Sequence, residues 1–186
     1  MRSSILIQRQ SGSELYSGIR VLLLTMQIIS KEKIYSWLEE VKDPEIPVLS
    51  LVDLGVITGV SLENESIRIE MTPTFVGCPA MDMMKQEVIE VLNKHGIENV
   101  SVNISFKEPW SSDKISAKGR QALKQFGLAP PPSGNLFTDI DILEHAQCPR
   151  CNGSNTDLKN PFGPTLCRSI HYCNDCKEAF EQFKPV

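Results

Sequence analysis

Apolar residues recur at the spacing of an amphipathic helix in three segments of this chain. In the first segment, the positions i, i+3, i+4 and i+7 are occupied by Ile34, Trp37, Leu38 and Val41. Ser30 is a favourable N-cap for this helix, and Asp43-Pro44 is expected to stop it. The second segment runs from Pro79 to about Lys94, and the third from about Ser112 to Phe126. We therefore predict three helices.

A period of two marks three other segments as strands. Gly55–Leu62 and Ser66–Met71 flank Glu63-Asn64-Glu65, a pattern that predicts a hairpin. Its buried face is expected to carry Ile67, Ile69 and Met71. A third strand is predicted where apolar residues alternate at Val100, Val102, Ile104 and Phe106. The order α-β-β-α-β-α predicts a small α/β domain of the α+β type, with a three-stranded sheet covered by helices.

A stretch rich in proline and glycine separates this domain from the tail of the chain. Residues 127–135 contain three prolines and two glycines, which cannot continue a helix and form a semi-rigid linker. We predict a first domain over residues 26–126, a linker over 127–144 and a small domain over 145–186. A domain of that size usually needs a metal or disulfides, so metal chelation is expected to unfold the tail alone.

The first 25 residues differ in composition from the rest. They hold three arginines, five serines and one acid, and their longest apolar run, Val21–Leu24, is too short to span a membrane. This bias resembles a transit peptide. The simpler interpretation is a misassigned start, with translation beginning at Met26. We therefore expect residues 1–25 to be an extension, and the protein to be cytoplasmic, with no membrane partner.

Length and charge limit the class of protein. The chain has 186 residues, 41% of them hydrophobic, and a formal net charge of −4. This composition supports one modest core with a small appendage. Metal-bound thiolates would make the net charge more negative still. Because nucleic-acid binding relies on a basic surface, we expect no nucleic-acid partner.

Four cysteines in the tail have the spacing of a metal site. They form two Cys-x-x-Cys pairs, Cys148 with Cys151 and Cys173 with Cys176. Two such knuckles aim four thiolates at one ion, which predicts a closed, structural Zn²⁺ site with no open position for catalysis. A single iron ion remains an alternative occupant of the same ligands. Two disulfides are a further alternative, which would require an oxidising compartment.

Two other residues of the tail compete for the same four positions. Cys167 and His171 lie close to the second pair in the sequence. The paired knuckles should prevail, because each brings two ligands together locally. Cys167 is then either a spare buried thiol, which we favour, or a soft ligand for a transient metal.

The sixth cysteine lies between a predicted strand and a predicted helix, in the segment Thr72–Ala80. Pro79 suits the first helical turn, so Cys78 is predicted at the N-cap, where unpaired N–H groups stabilise a thiolate. Cys78 is therefore a candidate nucleophile, metal ligand or cluster ligand, or else an inert thiol. Upstream, Asp43 and Glu45 lie in a segment whose backbone is stiffened by prolines. They either bind a metal or partner, or Asp43 simply caps a turn.

These motifs resemble two known families. Asp43-Pro-Glu-Ile-Pro47, Val52-Asp-Leu-Gly55 and Thr72-Pro-Thr-Phe-Val-Gly-Cys-Pro79 resemble the small domain of iron–sulfur assembly proteins related to SufT. The tail, with Phe162-Gly-Pro-Thr-Leu-Cys167 between its cysteine pairs, is similar to that of PaaD (also PaaJ) proteins. These are accessory subunits of the multicomponent phenylacetyl-CoA epoxidase. Both halves occur in the expected order over about residues 26–186.

The resemblance implies an accessory protein of phenylacetate degradation and not an enzyme, so no catalytic residue is assigned. It implies that the protein helps to mature the iron–sulfur reductase component or to assemble the oxygenase. The site residues that it implies for a transient iron ion, a cluster or the client are Cys78, Asp43, Glu45, Thr72 and Thr74. The alternative is a non-catalytic structural subunit of the oxygenase complex, and a homodimer is left open. The sequence also lacks the Glu-x-x-His pairs of a di-iron bundle.

Overall fold

The first part of the chain contains three helices and three strands in the predicted order. A computed structural model describes residues 29–63, 66–132 and 146–185. Its helices are α1 (Lys31–Leu38), α2 (Met81–Lys94) and α3 (Ala117–Phe126), and its first three strands are β1 (Ile57–Glu63), β2 (Ser66–Met71) and β3 (Val100–Ile104). The predicted α+β class with a three-stranded sheet is therefore confirmed. Residues 1–25, and the centre of the predicted hairpin turn, lie outside the described residues.

Strand β2 is the centre of this sheet. It pairs antiparallel with β1 and parallel with β3, so that Ile69 lies between Val60 and Val102. Ile67, Ile69 and Met71 are buried, as predicted. Helix α1 contacts β1 and α2, and α2 in turn contacts β3. The apolar faces of the helices thus close the core on one layer of strands.

Several element boundaries differ from the prediction. Helix α1 ends at Leu38, well before Asp43, although Val41 is still fully buried. Strand β3 ends at Ile104, and Phe106 beyond it is 61% exposed. The third helix is divided into a short 3₁₀ turn, Ser112–Lys114, and helix α3. The division occurs because the Ser116 hydroxyl accepts a hydrogen bond from the Gly119 N–H at 2.9 Å and caps a new helix.

The carboxylate of Asp53 ties the start of α3 to the loop before β1. It accepts hydrogen bonds from the hydroxyls of Ser116 at 2.7 Å and Ser50 at 2.8 Å. Lys118 lies 3.3 Å away. Burial tends to raise the pKa of Asp53, but these partners outweigh it and hold the pKa below its usual value. Asp53 thus orients α3, and with it the chain that leads into the tail.

The tail forms a second sheet that includes a piece of the predicted linker. Its strands are β4 (Leu128–Ala129), β5 (Thr156–Asn160), β6 (Arg168–Cys173) and β7 (Ala179–Phe183), in the spatial order β4-β7-β6-β5. Strand β4 follows α3 directly and pairs parallel with β7. The chain just after Gly127 is therefore part of the tail's sheet. The domain boundaries at 126, 127–144 and 145 stay a prediction.

Side chains also connect the first part of the chain with the tail, and these two parts are called its halves below. Residues Lys31–Val186 form a single compact unit. The ring of Trp110 packs against that of Phe183 with centroids 5.8 Å apart, and both side chains are buried. The Arg168 guanidinium donates to the Glu45 carbonyl at 2.9 Å. Within the described ranges, no helix is long and apolar enough to cross a membrane.

Candidate functional site

The four paired cysteines converge on one point. Their sulfur atoms all lie within 4.8 Å of one another, which no other group of three or more potential ligands does in the described part of the chain. Cys151 and Cys173 are 3.5 Å apart at Sγ, and Cys148 and Cys176 are 3.7 Å apart. A tetrahedron with zinc–sulfur bonds of about 2.3 Å has edges of about 3.8 Å. The spacing therefore fits a tetrathiolate metal centre and is too wide for disulfide bonds.

The two knuckles have the same backbone geometry. The first cysteine of each donates its N–H to the carbonyl five residues later, from Cys148 to Gly153 at 3.0 Å and from Cys173 to Glu178 at 2.9 Å. The residue after each second cysteine has a positive φ, 62° at Asn152 and 61° at Lys177. The repeated turn explains why two residues between the cysteines suffice to aim both sulfurs at one ion.

Replacing Lys177 by glycine is expected to stabilise the tail. The left-handed conformation disfavours a residue with a Cβ, and glycine adopts it freely. We expect a gain of about 1 kcal/mol in the free energy of unfolding, measured by urea denaturation of the zinc-loaded protein. Lys177→Ala is the matched control, because it removes the charge but keeps the Cβ. Equal stability of the glycine and alanine variants would show that the backbone at this position is not strained.

The electrostatics of the knuckles favour a bound cation. Backbone N–H groups of Cys176 and Asp175 lower the pKa of Cys173 to about 7, whereas burial and neighbouring thiols raise that of Cys176 to about 12. A divalent cation supplies the charge that lets all four sulfurs ionise together. Gly153 permits the close packing, since a Cβ there would overlap the Asp175 carboxylate and approach the Cys151 sulfur.

Neither of the competing residues belongs to this sulfur group. His171 is fully buried, stacks on Phe180 with ring centroids 5.4 Å apart, and contacts the Ser169 hydroxyl through Nε2 at 2.9 Å. Burial lowers the pKa of His171 to about 4, so the imidazole is neutral. The prediction that the paired knuckles supply the ligands agrees with this geometry.

A second chemical site is a cavity of about 330 Å³ between the two halves of the chain. Four of the five residues predicted to contact iron, a cluster or a client line it: Asp43, Glu45, Thr74 and Cys78. The fifth, Thr72, is buried next to Thr58, with the two hydroxyls 3.5 Å apart, and does not line the cavity. The structure thus brings together most of a group whose role remains a prediction.

The predicted helix cap at Cys78 is wrong. Helix α2 begins at Met81, and the residue before it is Ala80, which provides no side-chain cap. Cys78 instead occupies the preceding turn, where its N–H donates to the Phe75 carbonyl at 3.3 Å and its carbonyl accepts from Met81 at 3.4 Å. Pro79 shapes this turn and does not start the helix. The thiol is half-buried at the cavity wall.

Asp43 caps a turn, which is one of the two roles that the sequence allows for it. One of its carboxylate oxygens accepts the N–H groups of Glu45 and Ile46, each at 2.9 Å. Burial raises the pKa of Asp43 despite these two hydrogen bonds. The ionised Asp43 carboxylate at the cavity therefore lowers the stability of the fold. The Glu45 side chain, in contrast, is exposed.

Asp43→Asn is expected to raise the stability at pH 7. An asparagine side-chain oxygen can accept the same two N–H bonds without a buried charge. Because the folded pKa lies above the unfolded value of 3.8, stability of the parent protein falls as pH rises through this interval. The difference in urea midpoint between the variants should therefore be largest at pH 7 and vanish below pH 3.8. Glu45→Gln, at an exposed carboxylate, should have a smaller effect, and a destabilised Asn variant would contradict the account.

Cys167 lies in the wall of the same cavity as Cys78, a position that the sequence does not indicate. It is half-buried and lies outside the knuckle sulfurs, and its role as a spare thiol stays a prediction. Burial raises the pKa of the Cys167 thiol, and the charges of Glu45 and Asp43 raise it further. The only available signal was the segment Phe162–Cys167, which carried part of the family resemblance.

Two apolar side chains that line this cavity are also exposed. Phe162 is 68% and Leu166 57% exposed, and Val76, two residues before Cys78 in the sequence, is 85% exposed. Large apolar side chains exposed together often mark a contact surface. The thiols therefore lie beside a surface suited to a protein partner.

The two halves of the chain match two known protein families. A family described as "Iron-sulfur cluster assembly protein" matches residues 31–105, and one described as "PaaD zinc beta ribbon domain" matches residues 137–184. The fold and the sulfur site thus define an iron–sulfur cluster assembly domain followed by a zinc ribbon. This is the combination that the motifs predicted.

Some related proteins match most of this chain, and others match about half of it. A protein of Escherichia coli (strain K12), named as one subunit of a "Putative 1,2-phenylacetyl-CoA epoxidase", is 32% identical over 154 residues, which cover 83% of this chain and 92% of that protein. "Fe-S protein maturation auxiliary factor YitW" of Bacillus subtilis (strain 168) is 34% identical and covers 53% of this chain and 97% of its own length. The chain therefore belongs to the PaaD family of phenylacetyl-CoA epoxidase subunits.

A solved structure covers the first half alone. It is a "Domain of Unknown Function DUF59" from Bacillus anthracis, 34% identical, which covers 50% of this chain and 90% of that chain with a TM-score of 0.46. The two named relatives support an accessory role for this chain.

Proposed function

We propose that this protein is an accessory factor of a phenylacetyl-CoA epoxidase system that helps to mature its iron–sulfur component. The observation that carries the proposal is the position of Cys78. Its thiol lines a solvent-accessible cavity together with Asp43, Glu45 and Thr74, inside an iron–sulfur cluster assembly domain that is joined to a PaaD zinc ribbon. The iron–sulfur reductase is the proposed client, and the cytoplasm, which keeps thiols reduced, is the proposed compartment.

The two sulfur sites have different roles in this proposal. One Zn²⁺ ion held by Cys148, Cys151, Cys173 and Cys176 has four ligands and no open position, so its role is to hold the ribbon together. Cys78 lies outside that site and is accessible from the cavity. It is the proposed contact for an iron ion or cluster in transit, which is the cargo of the protein and not its resident cofactor.

Epoxidase activity in Cys78→Ser cells tests the proposal. A strain that lacks its own copy is complemented with the parent protein, Cys78→Ser or Cys78→Ala, and phenylacetyl-CoA epoxidase activity is measured in extracts. We expect both variants to lose most of the activity while the purified proteins keep their zinc and thermal midpoint. Parental activity with both variants would overturn the role of this thiol.

A structural subunit is the second candidate function, and the apolar side chains Val76, Phe162 and Leu166 favour it. Such a subunit would remain in the complex after the oxygenase is mature. Stoichiometric co-purification with fully active complex, together with parental activity of Cys78→Ser, would support this alternative. Transient association that is lost once the client holds its cluster would support the maturation factor. The same purification shows whether the protein forms a homodimer.

A further inference from the structure

We propose that Cys78 and Cys167 together form a second sulfur site, built jointly by the assembly domain and the ribbon, that holds an iron–sulfur cluster for transfer to a client. This inference rests on the proposed function and adds the second ligand and the kind of cargo. The two thiols come from distant parts of the chain and line one cavity of about 330 Å³. The ribbon thus contributes a cluster ligand as well as a scaffold.

The ribbon loop that carries Cys167 is fixed by hydrogen bonds within the ribbon and contacts the first half through Arg168. The backbone carbonyl of Cys167 accepts from the Lys184 N–H at 2.8 Å, and the Thr165 hydroxyl lies 3.1 Å from its sulfur. The next residue, Arg168, donates to the Glu45 carbonyl at 2.9 Å and to the Glu181 carboxylate at 3.0 Å. The hydrogen bond from Arg168 to Glu45 therefore positions the neighbouring Cys167 next to the acidic loop.

A cation also bridges the two walls of the cavity. The Lys184 ammonium lies 5.4 Å from the ring centre of Phe75 and 5.5 Å from that of Phe162, one ring from each half. It also donates to the Pro161 carbonyl at 3.3 Å. A thiolate-bound iron–sulfur cluster is an anion, and the positive charge of Lys184 near the cavity offsets part of the repulsion from the Asp43 and Glu45 carboxylates that line it.

The set of ligands at the cavity favours a cluster over a single ion. Among the described residues, only the knuckle sulfurs form a group of three or more ligand atoms within 4.8 Å of one another. Cys78 and Cys167 are thus not gathered with a third ligand as tightly as a single ion requires. The remaining wall is largely apolar, with Met81, Met84 and Phe183 among its residues. Soft thiolates in an apolar pocket are the ligands that iron–sulfur clusters prefer.

Two thiolates leave other iron positions free for the client. Transfer is then an exchange of ligands, in which client thiols bind the cluster as thiolates and their two protons pass to Cys78 and Cys167. The irons, the sulfides and their electrons move together, so no oxidant or reductant is needed. Burial of Cys167, which favours its neutral thiol, assists the release.

Anaerobic reconstitution of the zinc-loaded protein with ferric iron, sulfide and an excess of a small-molecule thiol reductant tests the site. The parent protein should acquire iron and labile sulfide in equal amounts, with thiolate-to-iron absorption in the visible range. Cys78→Ser and Cys167→Ser should each lower the affinity at least about tenfold, the loss that even an outer ligand partner typically causes. Leu166→Ser is the matched control, since it alters the neighbouring cavity residue and keeps both thiols. A parallel sample with ferrous iron alone should bind little.

The outcomes separate this inference from the proposed function. If Cys167→Ser binds cluster as the parent does, the joint site is refuted, whatever Cys78→Ser does to epoxidase activity. If Leu166→Ser loses the cluster as completely as Cys167→Ser, the loss reflects the loop and not the thiol, and the inference fails. If both thiols are needed for binding but Cys78→Ser cells keep full activity, the site stands and the proposed function fails. Unchanged zinc content in every variant excludes an indirect effect through the knuckles.

Discussion

Cys148→Ser is expected to abolish zinc binding and unfold the ribbon. Cys148 is buried and is one of four sulfurs around a single point, so serine leaves three thiolates and an open position. Structural zinc in small domains contributes about 10–16 kcal/mol of apparent binding free energy at neutral pH, far more than a sheet of this size gains from burial. Zinc per chain, measured by mass spectrometry of the native protein, should fall from one to near zero.

Cys167→Ser is the matched control for this prediction. It removes a half-buried thiol from the same domain but leaves the four knuckle sulfurs intact. We expect this variant to keep one zinc ion and the parental content of β-structure by circular dichroism. Loss of zinc from Cys167→Ser, or its retention by Cys148→Ser, would mean that the ligand set is wrong.

The loss of zinc should also perturb the structure of the first half of the protein. Chelation was expected from the sequence to unfold the tail alone, but strand β4 and the contact between Trp110 and Phe183 join the halves. The chain has two tryptophans, Trp37 and Trp110. In a Trp37→Phe background, a chelator should therefore shift the emission of Trp110 to longer wavelength. An unchanged spectrum would restore the view that the tail unfolds independently.

Phe183→Ala is expected to cost about 3–5 kcal/mol, the usual loss on truncating a buried aromatic side chain. Phe183 is 1% exposed, packs against Trp110 and lines the cavity with both thiols. Truncation leaves a void between the ribbon and the assembly domain. The measurement is the free energy of unfolding from urea denaturation of the zinc-loaded protein.

Phe162→Ala is the control for the aromatic truncation. Phe162 belongs to the same ribbon and the same cavity but is 68% exposed. Its replacement should change the stability by less than about 1 kcal/mol, as is usual for surface sites. If both truncations have the same small effect, the two halves are not held together by this contact.

The sequence was sufficient for features that depend on local pattern. Helical spacing around Ile34 and Val88, alternation around Ile69 and the two Cys-x-x-Cys pairs each involve neighbouring residues, and the structure has the corresponding elements. The family motifs added the order of the two halves. The predicted boundaries of helices and strands are less accurate where a side chain from a distant segment contacts the element, as the Asp53 carboxylate does at the start of α3.

The parts that were missed depend on contacts between distant segments. Nothing near Cys167 in the sequence indicates that Arg168 binds the Glu45 carbonyl more than a hundred positions away, and this contact helps to bring Cys167 to the Cys78 cavity. The left-handed backbone at Lys177 was equally hidden, because lysine gives no signal for a positive φ. Cys78 was misplaced by two residues, since the turn at Pro79 precedes the helix.

The most direct test of the central claim is the cluster content of the client. The iron–sulfur reductase is purified from cells that contain either the parent protein or Cys78→Ser at equal levels, and its iron and acid-labile sulfide are measured per polypeptide. We expect the reductase from the Cys78→Ser cells to lack most of its cluster, although the variant itself keeps its zinc. A fully loaded reductase in those cells would contradict the claim.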